Sequence, residues 1–242
     1  MGIGVGHAPR NEAMGVFMEK PVPAMRKYLG EVRGLLEGKR VYPDLPLQTY
    51  QGMELSTRVP EQPLRVMMGA VGPRMQELSG EISDGSYVYL QPTSLMPEIK
   101  ARVAFGAKGA GRDPDKVEVN LMIHTAVNDD LDKARDGARK ALTYWLGLPG
   151  YNASIAAAGF EEEAAQIREA FAAGDQAGII AGMSNALMDE IAIVGPPGRC
   201  KDQIAAIRAS GVDVPVLQID AVSEGETYKE ALERTLTSLA PA

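Results

Sequence analysis

The sequence predicts an α/β fold of short parallel strands joined by helices through right-handed crossovers. Three observations predict it. Apolar periodicity switches repeatedly between strand-like and helix-like spacing along the 242 residues, giving five strands separated by amphipathic helices. The strands are short and nearly all apolar, as expected when both faces of a sheet are covered. With 45% hydrophobic and 24% charged residues, the composition is that of an ordinary globular protein able to bury a sizeable core.

The elements follow in order. Gly2-Ile3-Gly4-Val5-Gly6-His7 reads as a short, glycine-rich strand. A helix is expected over Pro23–Glu37, with Met25, Leu29, Val32 and Leu36 at helical spacing, Pro23 in its first turn and Gly38 just past its end. Residues 40–63 hold four prolines and no clear period, so they read as a long irregular connection. Leu64–Met68 is the next strand, Gly69–Pro73 a turn, and Pro73 opens a helix to about Ser83. Asp84-Gly85 ends that helix, and Ser86–Leu90 returns as a strand. A helix over Ser94–Lys108 leads to the longest strand candidate, Val117–Val127, and then to a helix over Asp130–Leu146. Residues 148–194 break the rhythm with two alanine-rich helical stretches, an inserted helical segment in a single domain spanning 1–242. Gly195-Pro196-Pro197-Gly198 opens a helix to Ser210, Val214–Val222 is the last strand, and a helix over Glu224–Leu239 closes the chain.

Charge and composition exclude several function classes. A net charge of −7 lacks the basic footprint of a nucleic-acid partner. One cysteine, Cys200, allows no internal disulfide, and two distant histidines, His7 and His124, do not suggest a zinc site. No apolar run is long enough to span a membrane and no leader pattern opens the chain, so a cytoplasmic protein is expected.

In parallel α/β sheets, ligands gather at the C-terminal ends of strands. Gly4 and Gly6 would let a flat ligand lie against the backbone, with His7, Arg10 and Asn11 supplying polar groups beside it. The same glycines also suit a tightly packed strand next to a solvated loop, and the residues alone leave both readings open. Gly69-Ala70-Val71-Gly72-Pro73 follows a strand and opens a helix, a setting that suits phosphate, although it is neither a P-loop nor the dinucleotide fingerprint. It reads equally as an ordinary tight turn. Thr93 and Ser94 offer hydroxyls at another helix start, where an N-cap is the common role. His124 reads as a hydrogen-bonded interior histidine, Cys200 as a buried structural thiol, and Glu161-Glu162-Glu163 as a solvated first turn.

Taken together, these segments resemble a known family. Gly-Ile-Gly-Val-Gly-His-Ala-Pro-Arg-Asn-Glu-Ala-Met-Gly (2–15) and the helix at Met25–Leu29 look like the fourth-strand region of luciferase-like monooxygenases. Gly69–Met75 through Ser83-Asp84-Gly85 is similar to the fifth-strand loop, and Ile193–Pro197 with Ala209–Asp213 resembles the closing segment. The resemblance implies a (β/α)8 TIM-barrel type with a helical insertion at 148–194, incomplete here with about five parallel strands. It also implies an oxidoreductase transferring a hydride between coenzyme F-420, a deazaflavin, and a small organic substrate. The alternative cofactor is FMN, in a monooxygenase. On this resemblance Gly4, Gly6 and Asn11 line the ring, with His7 as the catalytic group. Gly69, Ala70, Val71, Gly72 and Pro73 grip ribityl and phosphate, and Thr93 and Ser94 add phosphate contacts. No metal is implied. The first three β/α units have no counterpart, so roughly 90 residues of a full barrel lie outside the match. The opening strand is then expected to be an open edge that invites homo-oligomer pairing, and a non-catalytic, edge-pairing barrel fragment is a third reading.

Overall fold

The computed structural model describes residues 1–42, 52–59 and 61–240. Residues 43–51 and 60 of the expected connection at 40–63 therefore lie outside the described residues. Its described part carries one antiparallel bridge, Val41 to Met53. The chain divides into two compact units, Met1–Tyr87 with Arg102–Val117, and Val88–Ala101 with Glu118–Ala242.

The first unit contains β1 (Gly2–Ile3), α1 (Ala8–Ala13), α2 (Pro21–Leu36), β2 (Met67–Gly69), α3 (Pro73–Ile82) and the start of β3 (Gly85–Tyr89). The strands are parallel: Gly2 aligns with Met67 and Ile3 with Met68, while Met67, Met68 and Gly69 align with Gly85, Ser86 and Tyr87. Its core sits between these strands and their helices. Met25 and Leu29 of α2, Met75 and Leu78 of α3, and Val66, Met68 and Ala70 are buried together, with Ile3 and Val5 packed against them. Because side chains alternate along an extended chain, this sends Gly2, Gly4 and Gly6 to the opposite face.

Two glycines bring α3 against the second half of α4 (Met96–Gly109). A Cβ on Gly80 would fall 2.0 Å from the Val103 carbonyl oxygen, and one on Gly106 would fall 1.9 Å from that of Glu77. Only hydrogen fits at either place. Asp84 ties the end of α3 back to the sheet, accepting from the Val66 N–H at 2.7 Å and pairing with Arg33 at 3.0 Å.

The second unit contains the end of β3, the first half of α4, β4 (Glu118–Val127), α5 (Leu131–Leu146), β5 (Ala192–Gly195), α10 (Pro197–Ala209), β6 (Val214–Ile219) and α11 (Tyr228–Leu239). Between α5 and β5 lie α6 (Pro149–Ala157), α7 (Glu161–Ala173), α8 (Gln176–Ala181) and α9 (Asn185–Ile191). β4 is the central strand. One edge pairs with β6 from Asn120–Val214 to Thr125–Ile219. On the other, the Leu90 N–H, just past β3, donates to the Met122 carbonyl, and β5 takes over from His124–Ala192 to Val127–Gly195.

Three expectations are corrected. The described strands number six, not five, because Ala192–Gly195 pairs with β4 although it was assigned to the helical insertion. The rest of that insertion is four helices rather than two, held in part by buried Asn152, whose amide donates to the Ala164 carbonyl at 2.7 Å. The loop expected after the first strand contains α1, an exposed helix turn with no apolar stripe.

Candidate active site

Within the first unit, the structure brings together nine of the residues singled out from the sequence. The chain leaves β1, passes Gly6 in the left-handed region (φ 72°), and enters α1 with His7 at its N-cap. Asn11 closes this corner, its backbone N–H donating to the His7 carbonyl at 2.9 Å and its side-chain amide to the Val5 carbonyl at 2.8 Å. A Cβ on Gly6 would lie 2.6 Å from the Asn11 Oδ1, so a larger residue there would also push the Asn11 amide out of place. The His7 imidazole is half-buried; that burial first, and the Arg10 charge second, hold its pKa below the ordinary value of 6.5.

Beside this corner, the second glycine turn leaves β2 and starts α3. Gly69 lies next to Gly4, with no side chain on either strand end. Ala70 is buried and anchored by its N–H to the Tyr87 carbonyl at 3.2 Å. Gly72 is the N-cap of α3 with Pro73 at its first position, and a Cβ on Gly72 would meet nothing within 4 Å. Gln76, which sequence reasoning passed over, braces the turn. Its amide donates to the Val71 carbonyl at 2.7 Å, and its own Oε1 accepts from Arg102 at 3.1 Å. The result is a floor of bare backbone next to a helix N-terminus, a shape that accepts a flat ring with an anionic tail.

Thr93 and Ser94 belong to the second unit, in the turn before α4. There the Glu190 carboxylate accepts from the Thr93 hydroxyl at 3.1 Å and from the Ser94 backbone N–H. The anion at that helix start is a side chain of the protein's own.

The second unit also holds a polar chain that the sequence analysis did not assemble. The Tyr89 hydroxyl lies 2.7 Å from His124 Nε2, and His124 Nδ1 lies 2.9 Å from both carboxylate oxygens of Asp220. His124 is 1% and Asp220 6% exposed, as an interior histidine was expected to be. The Tyr89 ring sits edge-on to Trp145 and Tyr151, at centroid distances of 5.2 and 5.6 Å. Burial raises the Tyr89 phenol well above its usual range, reinforced by Tyr151 and Asp220. Burial likewise raises the Asp220 carboxyl, against the pull of His124. Asp220 stands directly after the last strand, and attention to that strand end would have found it. Among the described residues no group of acidic, histidine or cysteine side chains could hold a metal, and no helix is long and apolar enough to cross a membrane.

Residues 1–214 match the model of a family described as luciferase-like monooxygenase. A 5,10-methylenetetrahydromethanopterin reductase from Methanolobus tindarius is 31% identical over 233 residues, covering 95% of this chain and 69% of the relative. One from Archaeoglobus fulgidus is 28% identical over 218 residues, covering 88% of this chain and 64% of the relative. Among solved structures, the coenzyme F-420 dependent tetrahydromethanopterin reductase of Methanopyrus kandleri superposes with a TM-score of 0.78 at 23% identity, over 98% of this chain and 71% of that one. An F-420-dependent secondary alcohol dehydrogenase, solved with an F-420–acetone adduct, gives 0.66 at 16% identity, over 99% and 69%. Those structures carry the TIM-barrel fold expected from the sequence, and the parallel α/β order of this chain matches them. The family match over residues 1–214 and the 31% identical relative agree with the fold: this chain belongs to the luciferase-like monooxygenase family.

Proposed function

We infer that this chain holds coenzyme F-420 and serves hydride transfer between that deazaflavin and a small organic substrate. The observation that carries the reading is the bare backbone floor of Gly4 and Gly69 beside the α3 N-terminus. A flat tricyclic ring fits against backbone that carries no Cβ, and the Gly69–Pro73 turn offers a dipole for the phosphate of the tail. The reductases from Methanolobus and Archaeoglobus support the same cofactor class, since a similar reductase is F-420 dependent.

When bound, the deazaflavin supplies a two-electron hydride carrier. The remaining work falls to the chain. Gly4, Gly6 and Gly69 leave room for the ring, while Asn11 and Gln76 hold the two turns in shape. His7, kept neutral near pH 7 by its burial and by Arg10, holds or moves a proton at an imidazole nitrogen beside the ring. The Thr93 hydroxyl and the Ser94 backbone N–H are spent on the Glu190 carboxylate.

A second reading, FMN with a monooxygenase reaction, is favoured by the family's description and by the fold likeness to a Streptomyces bottropensis monooxygenase at TM-score 0.63. An equilibrium titration followed by deazaflavin fluorescence, with FMN as competitor, separates the two. One-to-one F-420 binding that FMN does not displace is the expected result. Tight FMN uptake without F-420 binding establishes the second reading instead.

A further inference from the structure

We propose that Tyr87 is a cofactor-contacting residue, standing at the edge of the glycine floor and donating a hydrogen bond from its hydroxyl to a carbonyl oxygen on the rim of the deazaflavin ring. The proposal rests on the F-420 reading above and adds a residue that reading does not use. Every group it invokes lies in the first compact unit.

The strand register places Tyr87. Ile3, Met68 and Ser86 align across β1, β2 and β3, and Ile3 and Met68 belong to the core side. Alternation along each strand sends the next row, Gly4, Gly69 and Tyr87, to the opposite face. The row before it, Gly2, Met67 and Gly85, shares that face. Four of these six positions are glycine, so only Met67 and Tyr87 raise a side chain there. The bare part is open. A Cβ on Gly2 would meet nothing within 4 Å, one on Gly4 only the Gly69 Cα, and one on Gly69 only backbone atoms of Gly4 and Ile3. Neighbouring strands lie about 4.8 Å apart, so a ring seated on Gly4 and Gly69 reaches Tyr87 within one strand spacing.

The side chain itself suits that place. Tyr87 is half-buried, and its hydroxyl has no hydrogen-bond partner among the described residues. An aliphatic or phenyl side chain would cover the sheet equally well, and a hydroxyl sheltered from water without an acceptor is a cost to the fold. The carbonyl oxygens at the pyrimidine end of a deazaflavin are acceptors of the kind it lacks. Burial holds the Tyr87 phenol above its ordinary value of 10.0, so it stays a donor throughout the neutral range.

The test is time-resolved fluorescence of F-420 bound at saturation to the parent chain, to Tyr87→Phe and to Tyr87→Leu, beside an equilibrium titration of each. A phenol in contact quenches an excited deazaflavin by lending it an electron, and a phenyl or alkyl group does not. The parent is expected to show a short-lived emission component that both variants lose. The Kd should rise about fivefold in Tyr87→Phe, the loss of one neutral hydrogen bond, and further in Tyr87→Leu. The urea midpoint of Tyr87→Phe should not move, since the hydroxyl holds nothing in the protein; a residue serving structure alone would shift the midpoint and leave the lifetime as it was. Equal lifetimes in parent and Tyr87→Phe, or equal Kd values, overturn the proposal while F-420 binding by the parent keeps the cofactor reading in place. A parent chain that binds no F-420 overturns that reading and this proposal with it.

Discussion

Gly4 and Gly69 face each other at the ends of neighbouring parallel strands, a Cβ on Gly69 falling 3.6 Å from the Gly4 Cα and one on Gly4 falling 3.9 Å from the Gly69 Cα. Both distances are ordinary contacts, so the fold itself does not demand glycine at either place. The ligand does. Gly4→Val is expected to leave urea-induced unfolding within about 1 kcal/mol of the parent. The same change should weaken F-420 binding at least tenfold in a fluorescence titration. Unchanged affinity would remove the strand ends from the site.

Elsewhere glycine serves packing. Gly106→Ala forces a Cβ into the Glu77 backbone and should cost about 1–3 kcal/mol in urea unfolding. Gly109→Ala, three residues on with open space around it, is the control and should be neutral or slightly stabilising.

His7 should respond to its neighbour. Arg10→Ala removes a charge that disfavours the imidazolium, so the proton-NMR titration midpoint of His7 is expected to move upward, while remaining below the ordinary 6.5 because burial persists. A downward move would show that the two groups are not coupled as described. In turnover assays His7→Ala should lower rate more than F-420 affinity, and equal losses would make His7 a binding residue only.

Glu190 accepts from the Thr93 hydroxyl and the Ser94 backbone N–H. Glu190→Ala should therefore raise F-420 affinity severalfold if Thr93 and Ser94 touch the phosphate. No change in the titration would exclude them from the site.

Alkaline behaviour follows from two buried groups. Burial pushes the Cys200 thiol up to about 11 and the Tyr151 phenol up to about 12, from ordinary values of 9.0 and 10.0. Within those windows the folded state keeps protons that the unfolded chain has lost. Their contribution to stability is therefore full below about pH 9 and declines as pH rises through the two windows. Urea unfolding at about pH 8 and about pH 11 should show the drop, and a thiol reagent at about pH 8 should label Cys200 only after unfolding.

How much of this was legible in the sequence depends on the length of the signal. α2, α3, β4 and α5 carry several turns of periodic apolar residues, and their expected and observed spans agree within a few residues. α1 has six residues and buries none of them, so periodicity has nothing to register. β5 is four residues between a helix and two prolines, too short to show alternation, and it becomes a strand because β4 offers an open edge. The two glycine turns were visible as compositions, but the bracing by Gln76 was not, since a helical glutamine looks solvent-facing until the turn folds over it. Tyr89, His124 and Asp220 are separated by 35 and 96 residues, and only the parallel register brings them into line.

The edge that β4 shares between Leu90 and β5 has a practical meaning for anyone recombining members of the family. The helical segment between α5 and α10 is not a detachable cap, because its last residues are a rung of the sheet and lie against His124 in the register. A chimera that exchanged the whole of residues 148–194 would import most of a foreign β5 and unseat that rung, whereas one spliced between Gly147 and Ala192 would carry the four helices and leave the native rung in place. The natural seam for exchanging the helical segment therefore lies at the end of α9, before β5 and the prolines that follow it.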